Sequence, residues 1–484
     1  MKIPKSQQSN ILRVLEKVTR NRYRLLLVSI IGSAYSALSI LRHRHFSSSA
    51  FDLGIFDQVI WLYSRFEAPY STIRANRLDE NILGDHFHPI LILLAPLYWL
   101  TNTVEALLVA QAFLFAIAIF PIFFFTRKRL GTPAAYMFSV SYALFWGVQR
   151  AVEFDFHEIA LAVPLIAWSI YFVDEKRWRA YYFCIALLFL TKEDLSLLVI
   201  FLGFYLVTLK EFKRGLLTSL AGALWFVAVM RLFIPYFAGD GNYHYWTYIQ
   251  FGPNFLAAAR TIVKNPLLAA RELFLPAEKL HTYFLVFAPF LCFSFLSPLF
   301  ILMIPLLVER FLSAQPLYWT TGFHYTAAIS PIVAMASADG LSKIVRLINN
   351  KRLRTAVIIA SSAVVLTVNT IMLPKLPLGQ LMNPNYWRLS KSDLTGREAL
   401  LLIPSTASVA AQGTVLPHLS HRKYIYFMPY NLVSLPDADY IIACKHLGLH
   451  PYPSAVELEG YLASQQAKGY SKIFDKEDWI IMRK

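Results

Sequence analysis

Charged residues are scarce in this chain of 484 residues: Asp, Glu, Lys and Arg make up 16%, whereas 56% of the residues are hydrophobic. An average soluble domain carries about a quarter charged residues, so this composition excludes an ordinary soluble protein. Acidic residues are scarcer than basic ones, 30 against 46, which leaves a formal net charge of +16. Because the basic residues fall between apolar runs, we interpret them as topology signals and expect no nucleic-acid partner.

Cysteine is nearly absent too, since the chain has only Cys184, Cys292 and Cys444. This number and spacing exclude a disulfide framework and a Cys-x-x-Cys metal pair. A cleavable signal peptide is not expected either, because the basic N-terminal stretch runs over 20 residues and no small-residue cleavage site follows the first apolar run.

Long apolar runs are what the chain has in abundance. The hydrocarbon core of a bilayer, about 30 Å thick, takes about 20 helical residues, so the segment 88–100 is too short to cross and is expected to dip into the membrane or extend the next helix. We predict about eleven transmembrane helices, near residues 24–41, 104–125, 132–149, 158–173, 179–191, 194–209, 215–237, 282–296, 298–312, 323–341 and 355–373.

Lys and Arg cluster in the N-terminal 24 residues and then after every second predicted span, whereas the first intervening loop, 42–103, holds five basic and six acidic residues. The positive-inside rule therefore puts the N-terminus in the cytoplasm and, with eleven spans, the C-terminus outside. We expect a multi-pass protein of the cytoplasmic (plasma) membrane.

The composition changes near residue 374. Short strand-like runs at 408–411, 423–429 and 438–443, a helical stretch at 454–470 and a final hairpin over 470–484 predict a small α/β domain. The predicted domains are a cytoplasmic segment (1–24), a transmembrane domain (25–373) with a large first outer loop (42–103), and an extracytoplasmic α/β domain (374–484).

Polar groups gather on the predicted extracytoplasmic side. A charge at membrane depth costs about 2.5–3.5 kcal/mol at a helix centre, so such groups persist where they are paired, hydrated or useful. Several clusters that converge on one face therefore predict a functional site. These clusters are 51–66, 84–90, 153–158, 191–194, Arg310 and 322–325, the last containing His324.

Asp52 precedes an apolar pattern with helical spacing, so 53–66 is predicted to be an amphipathic helix in the membrane interface. Asp52 is either the N-cap of this helix or a general base or ligand for a polar substrate, and the two roles are compatible. Asp57 points about 140° away from Asp52 around the helix. It is either a solvated position or a substrate contact.

His86 and His88 could bind a divalent cation together with Asp85, or could hydrogen-bond a substrate or another loop. No cofactor is certain from the sequence, and a divalent cation is left open.

The segment 153–158 holds four ionisable groups. A helix would place Glu153 and His157 on one face, and an extended chain would also align Asp155 with them. Either geometry sets a carboxylate beside an imidazole, as in general acid–base or metal sites.

Lys192 lies in a tight outer turn, where it either pairs with Glu193 or Asp194 or holds a phosphate as a point charge. Arg310, which follows Glu309 in an apolar run, offers the same two interpretations.

On the segments FDLGIFDQ (51–58), GDHFHPI (84–90), EFDFHE (153–158) and KEDL (192–195), the chain resembles an uncharacterised family of bacterial and archaeal predicted membrane proteins. The resemblance covers most of the chain, including 407–429. That family is affiliated with the GT-C glycosyltransferases, multi-span enzymes that transfer a sugar from a polyprenyl-phosphate donor outside the cytoplasmic membrane. Their shared mark is an acidic residue in the first outer loop, and the resemblance places Asp52 there, with His88 and Pro89 in a second recurring position.

The resemblance implies a GT-C-like glycosyltransferase, with membrane lipid and a lipid-linked sugar donor as partners. Asp52 would be the general base, Lys192 or Arg310 would neutralise the departing phosphate, and 153–158 would bind acceptor or cation. A transporter or flippase of a polar or lipid-linked solute is the alternative, although carriers usually place ionisable groups near the midplane of repeated halves. A membrane-tethered binding module is a third reading.

Overall fold

The structure is a computed structural model that describes residues 5–73, 81–239, 243, 245–428, 437–450 and 452–484, with side chains from residue 22 onwards. Residues 74–80 of the predicted first loop and residue 429 of a predicted strand lie outside the described residues.

The chain is mostly helical. The helices in the first half are α1 (Lys5–Arg44), α2 (Ile55–Ser64), α3 (Leu97–Leu100), α4 (Glu105–Ile117), α5 (Ile119–Leu130), α6 (Thr132–Leu144), α7 (Trp146–Glu153), α8 (Ile159–Asp174), α9 (Trp178–Phe189), α10 (Leu195–Thr208), α11 (Phe212–Ala228) and α12 (Ile234–Ala238). The remaining helices are α13 (Phe255–Lys264), α14 (Pro266–Phe274), α15 (Ala277–Phe287), α16 (Met303–Leu312), α17 (Pro316–Trp319), α18 (Ile329–Arg346), α19 (Lys351–Met372), α20 (Lys391–Leu401) and α21 (Ala455–Ala467).

Within the described residues, five helical stretches are long and apolar enough to cross a membrane, and four shorter apolar helices accompany them. The long stretches are Arg22–Arg44, Glu105–Leu130, Phe212–Ala238, His324–Arg346 and Lys351–Lys375. The shorter ones are Pro89–Leu100, Ile159–Asp174, Trp178–Phe189 and Leu195–Thr208. The number of eleven spans stays a prediction.

Several predicted spans are not continuous α-helices, among them 132–149 and 282–296. The predicted helix 132–149 is interrupted at Phe145, whose extended backbone separates α6 from α7. The predicted helix 282–296 ends as α-helix at Phe287, and short 3-10 turns continue the chain. Pro289 follows closely, and a proline offers no N–H to continue an α-helical ladder.

Helices approach closely where glycines face each other. A Cβ on Gly203 of α10 would lie 2.5 Å from the carbonyl oxygen of Gly215 in α11, so a larger side chain would force the helices apart. Small residues at such crossings let membrane helices pack backbone against backbone. The apolar core of the bundle combines α1 with α4, α5, α6, α8 and α18.

The segment after His88 does not extend the next helix. A 3-10 helix (Pro89–Leu94) and α3 form there, and Thr101 in an extended conformation separates them from α4. Ile92, Leu93 and Leu100 are exposed on this segment, as suits contact with lipid.

The C-terminal residues form a five-stranded sheet in the order β2-β1-β3-β5-β4. Strand β1 pairs in parallel with β2 and β3, whereas β5 is antiparallel to β3 and β4. Helix α21 packs on one face of the sheet and α20 on the other. The strands are β1 (Val409–Ala411), β2 (Ile425–Phe427), β3 (Tyr440–Cys444), β4 (Ser471–Lys476) and β5 (Trp479–Arg483). The predicted strands, helix and final hairpin are thus confirmed over the described residues.

Helix α2 is buried on both sides by other parts of the chain, and its position in the membrane interface stays a prediction. Ile55 and Val59 pack with the sheet's core, while Phe56 and Ile60 pack against the 89–108 segment. Both sides of the helix are therefore covered, because the C-terminal sheet sits on the first loop. The apolar pattern of α2 does not predict that the C-terminal sheet also packs on this helix.

Candidate active site

Asp52 lies in a single π-helical turn, Ala50–Gly54, just before α2. Ser49 caps this turn by accepting a hydrogen bond from Phe51 N at 3.2 Å, and α2 begins after Gly54 without a side-chain cap. The N-cap role considered for Asp52 is therefore wrong. Its carboxylate instead faces His157, with 3.5 Å from Oδ1 to Nε2.

Asp52 is only partly buried. A fifth of its side chain is accessible, yet it is surrounded by enough protein that burial raises its pKa to about 6, against the lowering effect of His157. A carboxyl group that titrates near neutral pH and remains reachable is suited to general base catalysis.

His157 is placed by a backbone turn rather than by a helix or a strand. Helix α7 ends at Glu153, and Asp155 has a positive φ of 79°. Gln111 of α4 fixes this turn, since its amide nitrogen donates to Asp155 O (2.6 Å) and its oxygen accepts from His157 N (2.9 Å). Neither of the two predicted geometries of 153–158 is therefore present.

Glu153 and Asp155 do not join His157. Glu153 pairs with Arg150 (2.6 Å) and accepts from Gln380 (2.8 Å). Asp155 forms an ion pair with Arg42 and accepts a hydrogen bond from Ser49 N at 2.7 Å. Asp155 thus ties its own turn to the turn that carries Asp52.

Glu158 is the residue of this segment that the sequence left out of the site. It is fully buried, and its two oxygens lie 2.6 Å from His157 Nδ1 and 3.3 Å from Lys192 Nζ. A buried carboxylate needs compensating partners, and Lys192 supplies a positive charge beside Glu158. The sequence feature that could have identified Glu158 is its position next to His157, as the fourth ionisable group of 153–158.

Lys192 connects Glu158 to a second carboxylate. Its ammonium lies 3.7 Å from Asp194 Oδ2, and Asp194 interacts with Glu309 of α16. Burial disfavours the charge of Lys192, yet Asp194 and Glu158 raise its pKa well above the ordinary value. Lys192 therefore stays protonated, with internal carboxylate partners.

His86 and His88 face different partners. His86 Nδ1 lies 2.6 Å from Glu193 Oε1, and the other oxygen of Glu193 accepts from Phe87 N at 3.1 Å. His88 is buried against Phe56, and burial lowers its pKa to about 4. Among the described residues, no group of three or more His, Cys, Asp or Glu side chains could hold a metal ion.

His324 and Arg310 come from the later loops. The ring of His324 stacks on His157 with 3.6 Å between centroids. Arg310 donates to the carbonyl oxygens of Tyr318 (2.6 Å) and Thr320 (2.8 Å) and to the hydroxyl of Thr326. Arg310 thereby fixes the loop that delivers His324.

Asp57 is fully buried under the C-terminal sheet, so its interpretation as a solvated position is wrong. It accepts hydrogen bonds from Tyr98 and Ser420 and lies 3.0 Å from His421 Nε2. These contacts link α2, α3 and the loop before β2.

The structure thus joins most of the predicted site residues through direct contacts or shared neighbours, and it places three elsewhere. The connected residues are Asp52, His86, His88, His157, Lys192, Glu193, Asp194, Arg310 and His324, and Glu158 and Glu309 join them. The residues with other partners are Asp57, Glu153 and Asp155. The catalytic and binding roles stay predictions.

The family described as "Predicted membrane protein (DUF2079)" matches residues 42–471 of the chain. None of the curated proteins matches the chain in sequence. Among solved structures, ArnT from Cupriavidus metallidurans in the apo state is similar, with a TM-score of 0.56, 13% identity and coverage of 96% of this chain and 98% of that one. The archaeal oligosaccharyltransferase AglB from Archaeoglobus fulgidus, solved with an inhibitory peptide and a dolichol-phosphate, has a TM-score of 0.43 and 11% identity, and covers 88% of this chain and 70% of AglB.

At this identity the likeness to ArnT shows a shared fold. The predicted family is confirmed, because its model matches most of the chain. The affiliation with the GT-C superfamily stays a prediction.

Proposed function

Because the chain belongs to the family described as "Predicted membrane protein (DUF2079)" and shares its fold with ArnT, we propose that it is a GT-C-like membrane glycosyltransferase. It moves a sugar from a polyprenyl-phosphate-linked donor to an acceptor on the extracytoplasmic face of the plasma membrane. The C-terminal α/β domain lies on the same face and covers the first loop.

The observation that carries the proposal is the accessible carboxylate of Asp52 beside His157. Asp52 takes the proton of an acceptor hydroxyl, and the acceptor oxygen forms a bond to the anomeric carbon. The bond from that carbon to the phosphate oxygen breaks, and its electron pair leaves with the lipid phosphate. A positioned base of this kind typically contributes about 10²–10⁴-fold to a rate.

The departing phosphate needs a positive group nearby. Lys192 is protonated, and the carboxylate of Glu158 lies between it and His157. Arg310 has only backbone carbonyls and a hydroxyl among its described hydrogen-bond partners, so its charge is not cancelled by a carboxylate there. We assign the role to Lys192, because 14% of its side chain is accessible, whereas Arg310 is buried and adds positive potential from within the protein.

The test uses purified protein in nanodiscs with polyprenyl-phosphate-linked sugars that carry tritium in the sugar, supplied one sugar at a time with membrane extract as acceptor source. Label should leave the donor lipid with the wild type and with Glu67→Gln, and should stay on it with Asp52→Asn. Glu67 is the matched control, since it is a half-exposed carboxylate of the same loop that pairs with Lys423 at 3.1 Å.

The transporter alternative gives a different result. In sealed vesicles, donor lipid or free solute would change sides without any new covalent product. That outcome would replace the glycosyltransferase proposal.

A further inference from the structure

Two short helices outside the candidate active site, α13 and α14, expose large apolar side chains. Asn254 caps α13 by accepting a hydrogen bond from Ala257 N (3.0 Å), and Asn265 caps α14 by accepting one from Leu268 N (3.2 Å). Both helices therefore begin at defined residues. The exposed apolar side chains are Phe255, Leu256, Val263, Leu267 and Phe274, of which Val263 and Leu267 are each 80% exposed.

The first of these helices, α13, has three distinct sides. Ala258 is buried in an apolar cluster with the end of α16. At about 100° per residue, the exposed Arg260 and Lys264 lie about 40° apart and about 120–160° from Ala258. Leu256 and Val263, about 20° apart, lie on the side next to these basic residues. The helix thus turns an apolar side and an adjacent basic side away from the bundle.

Helix α14 repeats this arrangement. Ala269 is buried in the same cluster as Ala258. The exposed side chains of Leu267 and Phe274 lie about 20° apart around the helix, and the exposed Arg271 lies about 40° from Leu267. The two helices together hold three basic residues and one acidic residue, so their exposed surface is both apolar and positively charged.

The exposed apolar surface continues from a membrane span. The span Phe212–Ala238 follows the basic loop 210–214, which is predicted to be cytoplasmic, so the chain after it lies on the outer side. Phe226 of this span contacts Phe255 of α13, with 5.9 Å between ring centroids. Phe226 lies about 21 Å along the helix from Phe212, which is the outer third of a hydrocarbon core about 30 Å thick. Helix α13 therefore meets the span near the outer membrane surface.

We propose that α13 and α14 lie in the outer membrane interface, with their exposed apolar side chains among the acyl chains and their three basic side chains against anionic lipid headgroups. A helix of this kind buries its apolar face about 5–10 Å into the boundary between headgroups and acyl chains, and basic residues strengthen its contact with anionic lipids. The contact does not depend on sugar transfer. Because α14 packs on α16, it lies beside the helix that carries Arg310.

Spin labels measure the depth of the two helices in vesicles of phosphatidylglycerol and phosphatidylcholine. A nitroxide is attached at Val263→Cys or Leu267→Cys, in protein whose exposed Cys292 is replaced by Ser. Each label should be accessible to oxygen, which is enriched among acyl chains, and protected from a water-soluble nickel chelate. A label at Val456→Cys, 76% exposed on α21, is the control and should show the reverse. Chelate accessibility at Val263 and Leu267 equal to that at Val456 overturns the proposal.

A charge variant tests the headgroup contact in the same vesicles. The variant combines Arg260→Gln, Lys264→Gln and Arg271→Gln. It should lower the preference of the protein for spin-labelled phosphatidylglycerol over spin-labelled phosphatidylcholine by about twofold or more at low salt, and added salt should weaken the wild-type preference.

The control variant removes the same number of positive charges from three exposed lysines of the C-terminal domain, Lys391, Lys472 and Lys476, each replaced by Gln. It should keep the wild-type preference, and gel filtration checks that both variants are assembled. A preference that is unchanged by the substitutions in α13 and α14, or that falls equally in both variants, overturns the headgroup contact.

Discussion

At one end of α8, Glu158 meets His157 and Lys192, and at the other end Asp174 meets Arg129. The helix has 16 residues, so about 24 Å separate the two clusters of charged residues. Arg129 donates to Asp174 (2.7 Å) and to Asp339 (2.9 Å), and its guanidinium lies 3.5 Å from the ring centre of Phe125.

The two clusters differ in how well their charges are matched. Each carboxylate at the Arg129 end has a cationic group within hydrogen-bonding distance, and Ser297 donates to the remaining oxygen of Asp339 (2.8 Å). At the other end, Asp52 is 3.5 Å from His157 and keeps an accessible fraction. Matched charges hold α5, α8 and α18 together, whereas an incompletely matched carboxylate remains available for chemistry.

Asp52→Asn should produce the largest effect on activity. Loss of the base should lower the rate of sugar transfer by about 10²–10⁴-fold, because the amide cannot take the proton of the acceptor. The rate of label transfer from the donor lipid measures the loss, and gel filtration checks assembly. Transfer at the wild-type rate would remove Asp52 from the role of base.

Arg129→Met should lower stability and leave activity nearly unchanged, in contrast to Asp52→Asn. It removes the shared partner of Asp174 and Asp339, two partly buried carboxylates that keep Lys128 and Lys343 nearby, which should cost about 1–3 kcal/mol of stability. The thermal unfolding midpoint should fall, while the transfer rate per folded molecule should stay within about twofold of wild type because the site lies at the far end of α8. A large loss of rate in folded protein would show that the two ends are coupled.

The pH dependence of the wild-type transfer rate tests whether Asp52, unlike the carboxylates near Arg129, acts as a titrating base. The pKa of Asp52 is raised to about 6, so the base is protonated below this pH. Transfer should therefore drop about tenfold per pH unit on the acid side of that value. Initial rates between pH 4.5 and 8, with stability monitored in parallel, give the profile; a flat profile would contradict a titrating base.

A smaller effect is expected where the C-terminal sheet docks. Gln58 is buried in α2 and donates to the carbonyl oxygen of Arg422 (3.1 Å) and to Thr72 (3.1 Å), while its own oxygen accepts from Ser71 (3.0 Å). Gln58→Ala should cost about 1–3 kcal/mol of stability by leaving these groups without partners. Chemical unfolding measures it against Glu67→Gln, which should change stability by less than about 1 kcal/mol.

Much of the site could be anticipated because hydropathy and basic loops order the polar segments along the membrane normal. Segments that carry Asp52, His157 and Lys192 were assigned to one side, and the structure brings them together. The strands of the sheet domain were also predictable, since their apolar runs are short and bounded by turn residues.

Other features depend on contacts between distant parts of the chain. The helical pattern of 53–66 allows a solvated Asp57, whereas in the structure Ser420, 363 residues later, donates a hydrogen bond to it. The turn that aims His157 is set by Gln111, whose partners are 44 and 46 residues away. The spacing within 153–158 is compatible with a helix or an extended chain, whereas the contact with Gln111 fixes a turn that is neither.

The stability and activity of Asp52→Asn, measured on one preparation, test the central claim most directly. A carboxyl whose folded pKa is raised to about 6 binds its proton more tightly in the folded state, so its contribution to stability is full at low pH and is lost as pH rises from about 4 to 6. Asn carries no such cost, so the variant should gain on the order of 2–3 kcal/mol relative to wild type between pH 4 and pH 8. The account predicts a protein that is more stable at pH 8 and inactive in transfer; an Asp52→Asn protein that still transfers sugar, or one whose stability relative to wild type falls as pH rises, would contradict it.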